Sequence, residues 1–206
     1  MSFGHWWIGY FIDQSGYEKL ALEFAAATAK AVLSEQSQRA MQAWRRDPSD
    51  FEQYLEMSDE TASQIHAYIW AFNLPGFDWF AEQFLTKDGR LNTLVDADHV
   101  HQMIITSNHT PVSILWHALG AERASELPGQ MGNLLLRAGE IDEALVKVRR
   151  AYAGVSQDDL LGRARRYCCW RVDDDDLQEV FGFLPNGLAR ARELGRGFFS
   201  VARAQI

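Results

Sequence analysis

Residues 131–152 constrain the fold of this chain more than any other stretch, because their spacing specifies a structural unit. A leucine run is followed by a glycine and then by an apolar stripe with intervals of four and three residues. The positions are Leu134, Leu135, Leu136, Gly139, Ile141, Leu145 and Val148. A glycine stop between two apolar segments, the second of them with helical period, predicts a helical hairpin.

The same stretch resembles one unit of the tetratricopeptide repeat family, in which small residues let two helices approach closely. The matching positions are Gly132, Leu135, Gly139, Ala144, Val148 and Ala151. No second copy follows at a fixed period, whereas a solenoid needs about three repeats to bury its core. Two interpretations therefore remain, a tetratricopeptide-like unit and an ordinary antiparallel hairpin inside a globular domain.

Helical periodicity also dominates the rest of the chain. The sequence predicts a mostly all-α domain of about nine to eleven helices over residues 1–206, with a soft joint at residues 127–129. Val100, Met103 and Ile104 are in phase for one of these helices, and Pro185 predicts a break between the last two. The aromatic run at residues 5–12 predicts either one short N-terminal strand or an extended arm across the core.

The charge is acidic and unevenly distributed. The net charge is -8. Residues 1–130 carry 8 Lys and Arg against 17 Asp and Glu, a net of -9, and residues 131–206 carry 12 against 11, a net of +1. Nucleic acid is a poor partner for an acidic surface, because binding must neutralise phosphates. A basic protein partner fits the charge better.

Composition and cysteine usage predict a cytoplasmic protein. No apolar stretch reaches the roughly 18 residues of a membrane span, and no basic residue precedes the short apolar run near the N-terminus. Cys168 and Cys169 are adjacent, a geometry that disfavours a disulfide between them, so a reducing compartment is expected. The excess of Arg over Lys is typical of GC-rich bacterial genomes.

Four histidines, His99, His101, His109 and His117, lie in one region and are weak candidates for a metal or enzyme site. Zinc needs three or four converging ligands. His99 and His101 would diverge on a helix and converge only on a strand. No H-E-x-x-H motif is present, so surface or capping histidines are the competing interpretation, and no metal or cofactor is predicted.

No nucleophile elbow, Walker loop or dinucleotide fingerprint occurs. A dyad of Cys168 or Cys169 with His117 competes with the interpretation that the cysteines are small buried residues. Arg171 and its neighbouring arginines would lower a thiol pKa if they were close in space. The sequence predicts no catalytic residue.

The sharpest local anomaly is the run Asp173, Asp174, Asp175 and Asp176, called the acidic segment below. Three interpretations compete: a solvated helix N-terminus, an acidic contact for a basic partner, and a divalent-cation site. A calcium loop needs a glycine turn and alternating ligands, which this run lacks.

Four tryptophans are candidate partner-binding residues if they are exposed, since Trp dominates interface hot spots. They are Trp6, Trp7, Trp44 and Trp170. Their alternative role is in the core, where each buries a large area. Exposed aromatic side chains would also make a homodimer possible.

These features favour a protein-binding function, most specifically a stoichiometric inhibitor of a basic bacterial toxin or effector, similar in role to an immunity protein or antitoxin. The alternatives are a helical metalloprotein or enzyme around the four histidines, and a tetratricopeptide-like scaffold that binds a peptide along the hairpin. Fold and charge do not fix function, so these remain hypotheses.

Overall fold

The computed structural model describes residues 4–52, 58–74, 76–77, 80, 100–169 and 171–204. The described residues form eight α-helices, two short 3-10 turns and four β-strands. The strands are β1 (Gly4–Ile12), β2 (Val100–Ser107), β3 (Leu134–Leu136) and β4 (Gly197–Ala204). The helices are α1 (Gln14–Lys30), α2 (Glu35–Arg46), α3 (Asp59–Trp70), α4 (Pro111–Leu119), α5 (Ala121–Ala124), α6 (Ile141–Tyr152), α7 (Gln157–Tyr167) and α8 (Asp174–Leu194). The 3-10 turns are Pro48–Phe51 and Ala138–Glu140.

The four strands form one antiparallel sheet in the order β2-β1-β4-β3. β1 is flanked on one side by β2 and on the other by β4, whose register places Trp7 opposite Ala202. The prediction of an all-α domain is therefore wrong, and the protein is mixed α/β. The N-terminal run does form a strand, but its partners come from distant segments whose pairing leaves no local signal in the sequence.

The sheet separates two apolar cores, because successive side chains of a strand point to opposite faces. On one face, Trp7 and Phe11 of β1 join Ile104 and Phe198 in a large core with most of the helices. On the other face, the alternate side chains of β1 join Leu20 of α1 in a small core. Its sheet residues are Trp6, Ile8, Tyr10, Ile12, Phe199 and Val201. Both faces of β1 are buried, which explains its nearly continuous apolar sequence.

The helix predicted from Val100, Met103 and Ile104 is wrong, because these residues lie in strand β2. Ile104 and Thr106 are buried, whereas Met103 and Ile105 are exposed. This alternation has the period of a strand, and the run of β-branched residues suits a pleated surface. Helical spacing at three positions was misleading because short apolar segments fit both periods.

The helical hairpin predicted for residues 131–152 is only half correct. Its second helix is present as α6, but Leu134–Leu136 form strand β3 against β4, and Ala138–Glu140 form a 3-10 turn. A three-residue leucine run carries no periodicity, so the pairing with β4 decides its conformation. The tetratricopeptide-like unit is therefore absent, and with it the concave face of a scaffold.

The break expected at Pro185 does not occur, since α8 runs through it to Leu194. A proline inside a helix leaves the carbonyl four residues earlier without its usual N–H donor, here the carbonyl of Phe181. The hydroxyl of Tyr152 donates to that oxygen at 2.8 Å. A side chain at the end of α6 therefore supplies the hydrogen bond that the proline removes.

Replacing Tyr152 with phenylalanine is expected to lower the free energy of unfolding by roughly 1 to 2 kcal/mol, because the buried carbonyl loses its donor. Urea denaturation measures this directly. The matched control is Tyr17→Phe on α1, where the structure gives the hydroxyl no hydrogen bond within the described residues and little change is expected. Equal effects of the two substitutions would contradict this account of Pro185.

None of the helices in the described part of the chain has the length and apolar character needed to cross a membrane.

Candidate functional site

His117 lies in α4 and is the centre of a polar network inside the large core. The indole N–H of Trp44 donates to its Nδ1 at 3.1 Å, so Nδ1 carries no proton. Its Nε2 lies 3.5 Å from Oε1 of Glu52, whose other oxygen accepts from Arg166 Nε at 2.7 Å. Both ring nitrogens of His117 are thus engaged, which suits a structural histidine and not a proton shuttle.

The pKa values in this network follow from burial and pairing. Burial lowers the pKa of His117, and Glu52 opposes that effect. The contact with His117 lowers the pKa of Glu52, and Arg166 adds to this, whereas partial burial acts in the opposite direction. At neutral pH the network therefore consists of a neutral imidazole, a carboxylate and a guanidinium.

Tyr167, at the end of α7, connects His117 to His109. Its ring stacks on His117 with centroids 4.4 Å apart and meets His109 edge-on at 4.7 Å. The hydroxyl of Tyr68 is buried without a hydrogen-bond partner among the described residues. Polar atoms in this condition are uncommon in folded proteins, so the cluster is costly to bury.

His109 is 5% exposed, and within the described residues no hydrogen bond reaches either of its ring nitrogens. Burial lowers its pKa to about 4, and positive charge on His5, His117, Arg171 and His66 would act in the same direction. At neutral pH the ring is uncharged and presents one N–H donor and one acceptor.

The four candidate histidines do not form a common site in the described structure. His101 lies on β2, and its Nε2 contacts the carbonyl oxygen of Phe183 in α8 at 3.1 Å. His109 and His117 share Tyr167 but have separate surroundings, and His99 lies outside the described residues. Among the side chains that are described, no group of three His, Cys, Asp or Glu residues is arranged to hold a metal ion.

The sequence did not predict that His109 shares a pocket with both cysteines. The pocket has a volume of about 110 Å³, and its polar lining residues are His66, Asn108, His109, Cys168, Cys169 and Arg171. We call it the Arg171 pocket. Burial raises the pKa of the Cys168 thiol to about 12, so that thiol stays protonated. The proposed dyad with His117 is not formed, since both nitrogens of His117 face Trp44 and Glu52.

Two residues of the Arg171 pocket have left-handed backbone conformations that non-glycine residues rarely adopt. Asn108 has φ 67° and Cys169 has φ 51°. Such conformations cost about 1 to 3 kcal/mol and are common at ligand sites. A sequence signal did exist for Asn108, because Ser107 and Asn108 shortly before Thr110 and Pro111 mark a turn. Asparagine is also among the residues that tolerate the left-handed conformation best.

The acidic segment lies where the sequence predicted it, at the start of α8, with Asp173 as the N-cap. All four side chains are exposed. Asp174 forms a two-pronged ion pair with Arg165, which lowers the pKa of its carboxyl. The other three aspartates make no ion pair with any residue that the structure describes.

Three of the four candidate tryptophans are not on the surface. Trp7 and Trp44 are fully buried and Trp6 is 8% exposed, whereas Trp170 lies outside the described residues. Trp7 stacks on Phe183 in the large core, and Trp44 donates to His117. Within the described structure these three side chains have core roles, and the condition of exposure set for a partner contact is not met.

Comparison with known protein families, with characterised proteins and with solved structures finds no match for this chain. The acidic segment and the Arg171 pocket are therefore the two features from which a function can be inferred.

Proposed function

We propose that the protein binds a basic protein through the acidic segment and acts as its stoichiometric inhibitor, in the manner of an immunity protein against a bacterial toxin or effector. A cytoplasmic location belongs to the proposal and is supported by two adjacent cysteines that are thiols. The observation that carries the proposal is three exposed carboxylates, Asp173, Asp175 and Asp176, crowded at one helix end.

Partial burial and neighbouring negative charges act together on one carboxyl of the segment. Partial burial, followed by the charges of Asp173, Glu179 and Asp175, raises the pKa of Asp176. Its ionisation is therefore less favourable in the free protein than that of an isolated aspartate. A cationic partner surface would relieve this repulsion, and complementary charge of this kind accelerates association more than it strengthens the final complex. The helix dipole favours the same carboxylates, so it also supports a solvated helix end.

Arg165 divides the segment into two parts. It neutralises Asp174 and leaves the remaining three aspartates available to a partner. The net charge of -8 extends the attraction beyond the segment, since long-range steering depends on the whole charge distribution. The buried tryptophans make no contribution to this surface.

The test is affinity capture from the lysate of the source cell with three baits: wild type, Asp175→Lys/Asp176→Lys, and Glu122→Lys/Glu126→Lys. The control pair changes the net charge equally on exposed glutamates near α5. We expect wild type and control to retain one basic protein at near one-to-one amounts, and the acidic-segment variant to lose it. Retention that is equal on all three baits, or on none, would contradict the proposal.

Association kinetics with the captured protein then distinguish an effect of charge on binding from an effect of the lysine substitutions on the helix. The substitutions Asp175→Asn and Asp176→Asn remove charge without placing a cation at the helix N-terminus. We expect a roughly tenfold slower association at low salt and a weaker dependence of that rate on ionic strength. An unchanged association rate would exclude the acidic segment from the contact.

A further inference from the structure

The Arg171 pocket extends from the protein surface to a buried imidazole. Asn108 and Arg171 are exposed, whereas His109 is 5% exposed. The guanidinium of Arg171 forms no ion pair with any described residue, and the Asn108 amide has no hydrogen-bond partner among them. Three kinds of donor therefore line one recess: a guanidinium, an amide and an imidazole N–H.

We propose that the Arg171 pocket binds a small oxyanion, a carboxylate or phosphate group, held between the guanidinium of Arg171 and the ring N–H of His109. Arg171 is suited to this role because its planar fork binds both kinds of group in a two-pronged manner. The acidic segment begins two residues after Arg171, but none of its carboxylates is among the described lining of the pocket, so the proposal does not depend on the partner protein.

The described lining of the recess favours an anion over a cation. None of the lining side chains that the structure describes is a carboxylate. The groups near His109 are His5 on β1, His66 on α3, His117 on α4, Tyr167 on α7 and Arg171 after α7. Arg171 is the one charged side chain in the described lining of the recess at neutral pH, and an anion would pair with it.

The volume limits the ligand. About 110 Å³ is several times the roughly 10 to 15 Å³ that a cavity needs to hold one water molecule. The pocket therefore accepts an anionic group with a few further atoms, and a nucleotide would have to lie mostly outside it. His109 supplies the buried end, where a hydrogen bond to a charged group is strongest.

Cys169 provides a chemical reporter for the anion. The chain has only two cysteines, and burial keeps the thiol of Cys168 protonated. Cys169 is alkylated either with anionic iodoacetate or with neutral iodoacetamide, which have nearly equal size. Peptide mass mapping measures the rate of each reaction. We expect the ratio of the iodoacetate rate to the iodoacetamide rate to be about fivefold higher in wild type than in Arg171→Gln. The reason is that one unit positive charge at short range attracts the anionic reagent. The ratio cancels changes in accessibility that affect both reagents.

The control variant is Arg149→Gln, an exposed arginine on α6 that should leave the ratio unchanged. Equal ratios in wild type and Arg171→Gln would overturn the proposal.

Added inorganic phosphate or sodium acetate then identifies the ligand class. Protection of Cys169 by phosphate alone assigns a phosphate ligand, protection by acetate alone assigns a carboxylate, and protection by both assigns a general oxyanion site. Protection by neither at millimolar concentrations would overturn it.

His109→Phe tests the buried end of the pocket, because it keeps an aromatic ring beside Tyr167 and removes the N–H donor. We expect the phosphate or acetate concentration for half-protection to rise at least fivefold, with the iodoacetate preference retained through Arg171. Unchanged protection would remove His109 from the site.

Discussion

Replacing Trp7 with alanine is expected to lower the free energy of unfolding by about 4 kcal/mol, the usual cost of removing a large aromatic side chain from a packed core. Trp7 is fully buried on the central strand and stacks on Phe183 with ring centroids 3.9 Å apart. Its indole N–H donates to the carbonyl of Gly132 at 2.9 Å. The substitution removes a contact between the sheet, α8 and the turn before β3 at once.

A second substitution separates packing from hydrogen bonding. Trp7→Phe retains a ring against Phe183 and loses the N–H donor. The hydroxyl of Ser200 still donates to the carbonyl of Gly132 at 2.7 Å, so that acceptor stays satisfied. We expect a loss of roughly 1 to 3 kcal/mol, clearly smaller than for alanine. Urea denaturation at pH 7.5 measures both losses, and an alanine variant that loses less than phenylalanine would contradict the packing described here.

Lowering the pH from 7 to 5 is expected to decrease the free energy of unfolding by roughly 2 kcal/mol through His109 alone, since one unit of pKa difference corresponds to about 1.36 kcal/mol. The pKa of His109 is about 4 in the folded protein, against an ordinary value of 6.5. At pH 5 the unfolded chain binds a proton on this ring and the folded chain does not. Acid therefore favours the unfolded state.

Stability decreases in acid because histidine is a base whose pKa is lower in the folded protein than in the unfolded chain. Its stabilising effect is complete above about pH 6.5 and decreases until the pH reaches the folded value near 4. Burial lowers the pKa of His5, His101 and His117 as well, so these rings act in the same direction. Carboxylates with lowered pKa values titrate below this window.

Denaturation curves at several pH values between 7.5 and 5 check this, with two variants. His109→Gln should show a weaker pH dependence, by roughly 2 kcal/mol over the range, even if its stability at pH 7.5 is reduced. The control Tyr152→Phe, which changes stability without removing a histidine, should retain the wild-type dependence. If stability does not change with pH in wild type, the buried histidines are not neutral in the way the structure implies.

Local signals predicted the helix ends better than the fold. Thr110 before Pro111 begins α4, Ser156 begins α7 and Asp173 begins α8, and all three are residue types that favour the N-cap position. In each case the signal and the structure involve the same few residues. The sheet could not be predicted in this way, because β2, β3 and β4 are defined by pairing with distant strands. The helix break predicted at Pro185 is wrong for a similar reason, because the hydrogen bond that stabilises α8 there comes from Tyr152 of another element.

The candidate site could likewise be predicted only where its residues are close together in the sequence. The acidic segment is contiguous, so its position and exposure follow from the sequence. The Arg171 pocket joins Asn108 and His109 to Cys169 and Arg171, some sixty residues later. Those residues are unremarkable in their own neighbourhoods, and only the packing of α7 against α4 through Tyr167 brings them together. The sequence suggested proximity of the cysteines to arginine, but the histidine it named was His117 and not His109.

The pairing of β1 with β4 has a consequence for synthesis of the protein. The paired residues run from Ile12 with Gly197 to His5 with Ala204, separations of 185 and 199 positions. A ribosome adds about 5 to 20 residues per second, so β1 waits for roughly ten seconds or more before its partner emerges. During that time one edge of an aromatic strand is open to other chains. We therefore expect the nascent protein to depend on chaperones and low temperature for good yields, far more than the stability of its finished core would suggest.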